Sequence, residues 1–439
     1  MWNSFLMNKN GAVVLAALLC LAAAFPLRAQ VSLSETSSGR NVFPLSAKTC
    51  AAIMYDAVSE PSVVGTAVGL LASDIEKVTG RVPSVSGNGS VPESCRYAVI
   101  AGTLGHSSLI DALVRDRKID VSSISGDWER YAVRLVEAPL KGIRRALVVV
   151  GSDRRGTAYG LLSLSRAIGV SPWYWWMDAP VEHRNSIYLS VNAYDAATPS
   201  VKYRGIFIND EDWGLLRWAK RNFEKELGNI GPKTYEKVCE LLLRLNANML
   251  APAMHEASTA FYQIPQNKEV ADRYGIIITA SHCEPLLLNT ASEWQKDRYG
   301  DWNYNTNSER IDSVLNARVV ETSPYENAYV IALRGLHDRA MSGGESLDSR
   351  KATVQRALLN QRKILSDVLG KDASEIPQFF TPYKEVLDVY NQGLELPDDV
   401  TIVWPDDNYG YMKRLCGPKE QLRSGRSGVY YHSSYLGRP

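Results

Sequence analysis

The chain has 439 residues and a formal net charge of +1 at pH 7, so no strongly charged surface is expected that would bind nucleic acid or a charged membrane. Its length favours two domains. Ten tryptophans and 22 tyrosines fit sugar-stacking surfaces as well as ordinary cores, so composition alone selects no function.

Residues 1–30 have the layout of a secretory signal peptide. Lys9 provides a small positive region, Ala12–Phe25 is almost wholly apolar, and Pro26 breaks the run. The apolar stretch is shorter than the roughly 20 residues that a membrane span requires. Cys20 raises a lipoprotein alternative, and a buried N-terminal helix is another, but we favour export to the periplasm or the extracellular space.

Residues 31–195 are predicted to form an N-terminal α/β domain. Short apolar runs at Tyr97–Ala101 and Ala146–Val150 are typical of buried strands, and a helix is expected from about Thr157 to Ile168. The glycine-containing turn between the second strand and this helix lacks the spacing of a nucleotide-binding loop, so we interpret it as a helix-packing turn.

The aromatic run Trp173–Trp176 closes this first region. Four consecutive rings could line a sugar site, or they could form the hydrophobic joint between two domains. We favour the joint.

Residues 196–439 show a regular alternation of strand and helix. Helices are expected at Thr234–Leu245 and at Ser349–Leu369, with Gly370 as the stop of the second. The strand candidates are Tyr203–Ile208, Ala247–Ala251, Gly275–Thr279, Ala328–Leu333, Gln378–Thr381, Val400–Trp404 and Gly428–Tyr431. Seven such units predict a parallel (β/α)8 TIM-like barrel, and its last strand and helix are expected to be missing because the sequence ends shortly after the seventh.

Polar side chains follow the predicted strands at their carboxyl ends, where barrel enzymes place their active sites. Any one of them has an ordinary explanation, such as a helix cap for Asp212. Their recurrence after seven strands favours a functional site. The residues that we select are Glu211, Asp212, His282, Arg334, Tyr383, Glu385, Asp406, Asn408 and Tyr430.

The chemistry that fits these residues best is glycoside cleavage. It needs one protonated carboxyl group and one carboxylate on the other side of the sugar. His282 and Asp406 are metal-type ligands, but no HxH, HExxH or CxxC spacing supports a metal site, and no serine lies in a GxSxG elbow. Arg334 would suit an acidic sugar because a guanidinium can hold a carboxylate through two hydrogen bonds.

Several long stretches resemble glycoside hydrolase family 115, the α-glucuronidases of xylan. They run in order from residue 156 to the C-terminus: GTAYGLLSLSRAIGVSPWYWW, YRGIFINDED, LLLRLNANML, YGIIITASHCEP, WNYNTNSERI, YENAYVIALRG, LPDDVTIVWPDDNYG and SGVYYH. The chain departs from the family in its shorter length and in the stretch Ala251–His255, which lacks a tryptophan common in the family.

The resemblance implies removal of glucuronic acid or 4-O-methyl-glucuronic acid from xylan with inversion of configuration and without a cofactor. It implies that Glu385 is the acid, with a pKa raised by burial near Tyr383. Asp406, Glu211 and Asp212 remain alternative bases. Substrate-binding positions are matched by His282, Arg334, Tyr383, Asn408 and Tyr430.

The expected partner is glucuronoxylan or its oligosaccharides, with no nucleic acid and no membrane span. A uronide of another plant polysaccharide, such as arabinogalactan, stays open, and so does assembly as a homodimer. The incomplete barrel motivates a second hypothesis, that the chain is a non-catalytic glycan-binding fragment of the same family.

Overall fold

The computed structural model describes residues 31–92, 95–209, 211–343 and 346–433. The predicted signal peptide lies outside these residues. Within the described part of the chain, no helix is both long and apolar enough to cross a membrane.

The first part of the chain carries two sheets and three helices. A small antiparallel sheet has the order β1-β8-β2, and a six-stranded mixed sheet has the order β4-β3-β5-β7-β6-β9. The strands are β1 (Val31–Leu33), β2 (Val42–Ser46), β3 (Ala52–Met54), β4 (Val85–Ser86), β5 (Tyr97–Thr103), β6 (Tyr131–Glu137), β7 (Arg145–Gly151), β8 (Ile187–Val191) and β9 (Tyr194–Asp195). The helices are α1 (Ser62–Thr79), α2 (Ser108–Arg115) and α3 (Arg154–Ala167).

The predicted strand–turn–helix unit is confirmed as β7 and α3. The side chain of Asp153 caps α3 by accepting a hydrogen bond from the backbone N–H of Gly156, 2.8 Å away. A Cβ at Gly156 would collide with the carbonyl oxygen of Arg130 at 2.0 Å, so close packing of the helix on β6 requires glycine there. This contact supports the interpretation of the turn as a packing feature.

The second part contains seven strands that run in chain order. They are β10 (Gly205–Phe207), β11 (Met249–Ala251), β12 (Ile277–Ile278), β13 (Tyr329–Val330), β14 (Gln378–Phe380), β15 (Thr401–Pro405) and β16 (Ser427–Tyr430). All pairings within β10–β12 and within β13–β16 are parallel, and a parallel bridge between Ile278 and Asn327 links the two groups. All seven predicted strands are therefore present, and the mixed α/β class is confirmed, while closure of the series into a barrel stays a prediction.

Helices connect most of these strands. They are α4 (Leu215–Trp218), α5 (Pro232–Arg244), α6 (Pro265–Arg273), α7 (Lys296–Tyr299), α8 (Ser308–Thr322), α9 (Leu347–Leu369) and α10 (Glu385–Asn391). As predicted, α9 stops at Gly370, which adopts the left-handed conformation with φ 63°. The helix buries Val354, Leu358 and Leu365, the face that the periodicity indicated.

The hydrophobic core runs through both parts of the chain without interruption. Gly275, just before β12, lies close to Val63 of α1, and Tyr159 of α3 donates a hydrogen bond to the carbonyl of Ala247 before β11. The predicted division at residue 196 is therefore not marked by a break in packing, and it stays a prediction.

A buried ion cluster reinforces this junction at the amino-terminal ends of the second set of strands. The carboxylate of Glu129 accepts hydrogen bonds from Arg155 (Nε, 2.7 Å), from Arg204 and from Asn248 (Nδ2, 2.7 Å). Arg155 also reaches Glu326 at 2.7 and 3.0 Å. Five segments of the chain are thereby held together by charge-assisted hydrogen bonds.

The predicted aromatic joint is also present. Trp175 and Trp176 pack against Trp218 and Phe223, with ring centroids 5.1 to 5.8 Å apart across the junction. Trp176 donates its indole N–H to the carbonyl of Lys237 at 3.1 Å. Of the two interpretations of this aromatic run, the structure favours the hydrophobic joint.

Candidate active site

Arg334, which follows β13, and Glu385, which begins α10, form a two-pronged ion pair. Arg334 donates from Nε to Oε1 of Glu385 at 3.1 Å and from Nη2 to Oε2 at 2.8 Å. This fork geometry is the one in which a guanidinium holds a carboxylate most firmly. Two residues selected from the sequence are therefore direct partners, although 51 positions separate them.

The remaining side of Arg334 is occupied as well. Its Nη1 contacts Asp338 and lies 3.4 Å from Nε2 of His282, and the whole residue is only 2% exposed. Asp338 also pairs with Lys384, 3.2 Å away, whose side chain is 47% exposed. Arg334 is therefore buried, and Lys384 is the cation of this group that reaches solvent. The expectation that Arg334 faces an open sugar site is met only in part.

His282 is placed at the centre of the group as a neutral imidazole. Its Nε2 lies 2.6 Å from Asp338, and its ring lies 4.5 Å from that of Tyr383. Burial and the nearby charge of Arg334 lower the pKa of His282 to about 3. At neutral pH the ring can therefore position a partner by hydrogen bonding, but it adds no positive charge.

The expected rise of the Glu385 pKa is wrong. Burial acts to raise the pKa of Glu385, but the hydrogen bonds and the positive charge of Arg334 outweigh it, and the pKa lies below its ordinary value. Burial near Tyr383 was an incomplete basis for the expectation because a charged partner also lies within hydrogen-bonding distance. As found here, Glu385 is a carboxylate, and it can serve as an acid only if Arg334 is drawn away.

Asp406, at the end of β15, is buried beside the end of β16. It accepts hydrogen bonds from the backbone N–H groups of His432 (3.2 Å) and Asn408 (3.3 Å), and it contacts the His432 imidazole. Tyr383 donates its hydroxyl to Oδ1 of Asn408 at 2.9 Å, and the ring of Tyr430 lies 4.8 Å from that of His432. Asp406, Asn408, Tyr383 and Tyr430 therefore belong to one neighbourhood.

Glu211 is engaged elsewhere. Its carboxylate accepts hydrogen bonds from the backbone N–H of His255 at 2.6 Å and from the hydroxyl of Ser258 at 3.1 Å, which ties the end of β10 to the loop after β11. Burial raises the pKa of Glu211. These contacts give Glu211 a loop-fixing position, while Asp212 is partly buried next to it.

Backbone strain is concentrated at the same ends of the strands. Four residues other than glycine have left-handed conformations here: His337 (φ 55°), Asp338 (φ 64°), Lys384 (φ 50°) and Asn408 (φ 69°). Asparagine, aspartate and histidine adopt positive φ more readily than other side chains, whereas this conformation costs about 1–3 kcal/mol at Lys384. Such strain persists where the surrounding structure requires one side-chain direction, which is typical of functional sites.

A cleft of about 300 Å³ opens beside this group, between the ends of β14 and β15. Its polar lining is Tyr383, Lys384, Asp406, Asp407, Asn408, Lys413 and Arg414. Arg334 and Glu385 do not line it, but the guanidinium of Arg334 lies 5.7 Å from the ring centre of Tyr383, which does. The cleft thus offers cations, carboxylates and an aromatic face, a combination that suits an acidic sugar.

The donor set at His282, Cys283 and Asp338 is compact enough to hold a metal, with ligand atoms within 4.8 Å of one another. Burial raises the pKa of Cys283 to about 12, so its thiol is protonated, and the guanidinium of Arg334 already contacts Asp338. A guanidinium that already contacts Asp338 and lies beside His282 does not fit a metal ion at the same atoms.

Sequence reasoning did not select Asp338, Lys384 or His432, which the structure places within this group. Each stands next to, or a few positions from, a selected residue at the end of a strand. Their polar character and position were the available signal, but nothing in the sequence indicated which neighbour turns inward.

The carboxyl group of Glu284 is expected to make the free energy of unfolding depend on pH. Burial raises its pKa from 4.5 to about 8, and the charges of Glu293 and Glu211 add to the rise, against a hydrogen bond from Ser281 and the charge of Arg318. The folded chain then keeps a proton that the unfolded chain releases near 4.5, so the free energy of unfolding falls as pH rises from about 5 to 8, by about 1.4 kcal/mol per pH unit at most.

Glu284→Gln is expected to remove this part of the pH dependence because the amide stays neutral. Urea unfolding of the two proteins at several pH values measures it. Glu375→Gln, at an exposed position, is the control and should keep the parental slope. Parallel pH profiles for the parent and Glu284→Gln would refute a protonated Glu284.

A parallel α/β array with carboxylates and cations gathered at its strand ends is an arrangement that glycoside hydrolases use. Residues 196–439 match glycosyl hydrolase family 115, and the chain belongs to this family. Among solved structures, the chain is similar to a family GH115 4-O-methyl-α-glucuronidase with specificity for decorated arabinogalactans, with 39% identity and a TM-score of 0.81.

That similarity covers 90% of this chain and 50% of the other, so the chain spans about half the length of this relative. A β-hexosaminidase from Streptomyces plicatus is also similar, at 11% identity and a TM-score of 0.49 over 91% of this chain and 72% of that one, a level that carries no conclusion. No curated protein sequence matches the chain.

Proposed function

We propose that the protein is an inverting α-glucuronidase that removes glucuronic acid or its 4-O-methyl ether from the side chains of a plant polysaccharide. The observation that carries this proposal is the buried fork between Arg334 and Glu385 beside Lys384 and the polar cleft. A carboxylate held by a guanidinium marks the place where a uronate carboxylate can compete for the same donors.

This competition supplies a mechanism for activating the acid. When a uronate enters, its carboxylate draws Arg334 and Lys384 toward itself, and Glu385 loses the partner that lowers its pKa. Burial, the largest influence on this carboxyl group, is then opposed only by weaker backbone hydrogen bonds and raises the pKa, so that Glu385 takes up a proton and can deliver it to the glycosidic oxygen. The proton becomes available only when the correct acidic sugar is bound.

The general base must hold a water on the opposite face of the sugar. Asp406 is our preferred base because it is buried at the end of β15 and fixed by the His432 and Asn408 backbone. Glu211 and Asp212 remain the alternatives. Inversion requires the acid and base carboxyl groups to stand roughly 6.5–9.5 Å apart, with a water between the base and the anomeric carbon.

His282, Tyr383, Asn408 and Tyr430 are proposed to contact the sugar. The neutral imidazole of His282 and the hydroxyl of Tyr383 are hydrogen-bonding groups suited to sugar hydroxyls, and the rings of Tyr383 and Tyr430 offer apolar faces. This assignment carries over the roles expected from the family resemblance.

The polymer is proposed to be glucuronoxylan, with a decorated arabinogalactan as the second candidate. The second is favoured by the similarity to a relative that has specificity for decorated arabinogalactans. We also propose that residues 1–30 direct export of the protein, since plant polysaccharides lie outside the cell that degrades them. Secreted protein that begins near residue 31 would support export, and exclusive recovery from the cytoplasm would contradict it.

The test is chromatographic detection of free glucuronic acid after the purified chain is incubated with each polymer. Release from one of them, and the β-anomer as the first product in proton NMR, is expected. Release of the α-anomer would contradict inversion. Absence of release from both polymers would contradict the proposed activity.

A non-catalytic glycan-binding role is the alternative function, and one observation favours it. With Glu385 tied to Arg334, its pKa lies below the ordinary value, so the residue proposed as the acid is held as a carboxylate. Binding of uronide-decorated polymer without any release of glucuronic acid would establish this alternative.

A further inference from the structure

The turn 407–411, which follows β15, is closed by hydrogen bonds at the rim of the cleft. Oδ1 of Asp407 accepts hydrogen bonds from the backbone N–H groups of Tyr409 (3.0 Å) and Tyr411 (3.1 Å), and the Asp407 N–H donates to the Tyr411 carbonyl at 3.1 Å. Gly410 has φ 84°, which lets the chain reverse between the two tyrosines.

Both tyrosine rings point largely into solvent from this fixed turn. Tyr409 is 67% exposed and Tyr411 is 71% exposed. The hydroxyl of Tyr431 lies beside Gly410, because a Cβ added to this glycine would stand 3.0 Å from the hydroxyl oxygen. The residue that follows β16 therefore packs against the turn. Two large rings are thereby presented on a turn whose backbone is fastened by hydrogen bonds to Asp407.

The turn is continuous with the cleft. Asp407 and Asn408 line the cleft, and so does Lys413, whose Nζ lies 3.5 Å from Asp407. A volume of about 300 Å³ is at the small end for ligand pockets, and it suits one uronic acid. The sugar chain that bears this acid must then leave the cleft across its rim, where the tyrosines lie.

We propose that Tyr409 and Tyr411 bind the neutral main chain of the polysaccharide whose uronic acid branch occupies the cleft. This inference rests on the proposed function because it assumes a uronide in the cleft. Flat aromatic rings stack on the apolar faces of pyranose rings without needing a charge. The positive charge of Lys413 at the foot of the turn favours a polymer that also carries acidic groups.

The test compares three variants with the parent. The first carries Tyr409→Ala and Tyr411→Ala together, the second carries phenylalanine at both positions, and the third carries Leu422→Ala. Leu422 is 87% exposed in the same part of the chain and serves as the matched control. Retardation in polymer-containing gels measures binding, and release of glucuronic acid from polymer and from a small aryl α-glucuronide measures turnover.

We expect the alanine pair to weaken polymer binding, and to raise KM for polymer, by about tenfold. Turnover of the aryl glucuronide should stay at the parental level, and phenylalanine should restore polymer binding, because stacking needs the ring and not the hydroxyl. Unchanged polymer binding, or an equal loss on both substrates, would overturn the inference. If the parent binds the polymer, the alanine pair does not, and none of the proteins hydrolyses it, the inference that the two tyrosines bind the main chain would stand. The proposed activity would then be rejected.

Discussion

Replacing Glu385 with glutamine is expected to lower the release of glucuronic acid from polymer by about a thousandfold, within the range that a general acid contributes. The amide keeps the size of the side chain but has no proton of suitable acidity for the leaving oxygen. A glucuronide with a strongly acidic phenol as leaving group needs little protonation, so the variant should keep most of its rate on that substrate. Initial rates on both substrates measure the effect.

The control for this variant is Glu375→Gln, which lies at an exposed position outside the site and should behave as the parent. A parental rate of Glu385→Gln on polymer would rule out Glu385 as the acid. An equally large loss on both substrates would assign Glu385 to another step, such as activation of the water.

Among the substitutions predicted for this protein, the removal of the Glu129 carboxylate is expected to lower the free energy of unfolding most. Glu129 is buried, and Arg155, Arg204 and Asn248 all donate to it. Glu129→Ala removes the carboxylate that Arg155 and Arg204 share. Because Arg155 keeps Glu326, the expected cost is about 3 kcal/mol, at the low end for breaking a buried pair. The free energy of unfolding from urea titration measures the loss.

Glu137→Ala is the matched control because Glu137 pairs with Arg145 but has a side chain that is 60% exposed. Surface pairs contribute about 0–1 kcal/mol, so this variant should stay close to the parent. Equal stability of the two variants would show that the Glu129 cluster does not hold the two parts of the chain together.

The seven strands β10–β16 could be predicted from the sequence because each is a short apolar run bounded by turns and helices. The strands β1, β2, β6 and β8 could not. Their pairings are antiparallel, and β2 pairs with a strand that lies well over 100 positions later, so no local pattern indicates the partner. Local periodicity finds elements, whereas pairing between distant segments depends on the whole fold.

The candidate site divides in the same way. Its location followed from polar residues at the ends of strands, and most of the residues selected there come together around His282 and Tyr383. Glu211 and Asp212 do not, because Glu211 is bound to the loop after β11. The pairing of Arg334 with Glu385 could not be foreseen, since it joins two side chains that lie 51 positions apart in the sequence. For the same reason the direction of the Glu385 pKa was wrong: burial was foreseeable and the ion pair was not.

The central claim is that a uronate takes Arg334 from Glu385, and that Glu385 thereby takes up a proton. Proton exchange during ligand binding tests this claim most directly. Calorimetric titration of the full chain with glucuronate near pH 5, in buffers of different ionisation enthalpy, gives the number of protons taken up. We predict uptake of up to one proton with glucuronate, none with Glu385→Gln, and no detectable binding of glucose. Glucuronate binding without proton uptake, or equal binding of glucose, would contradict the account.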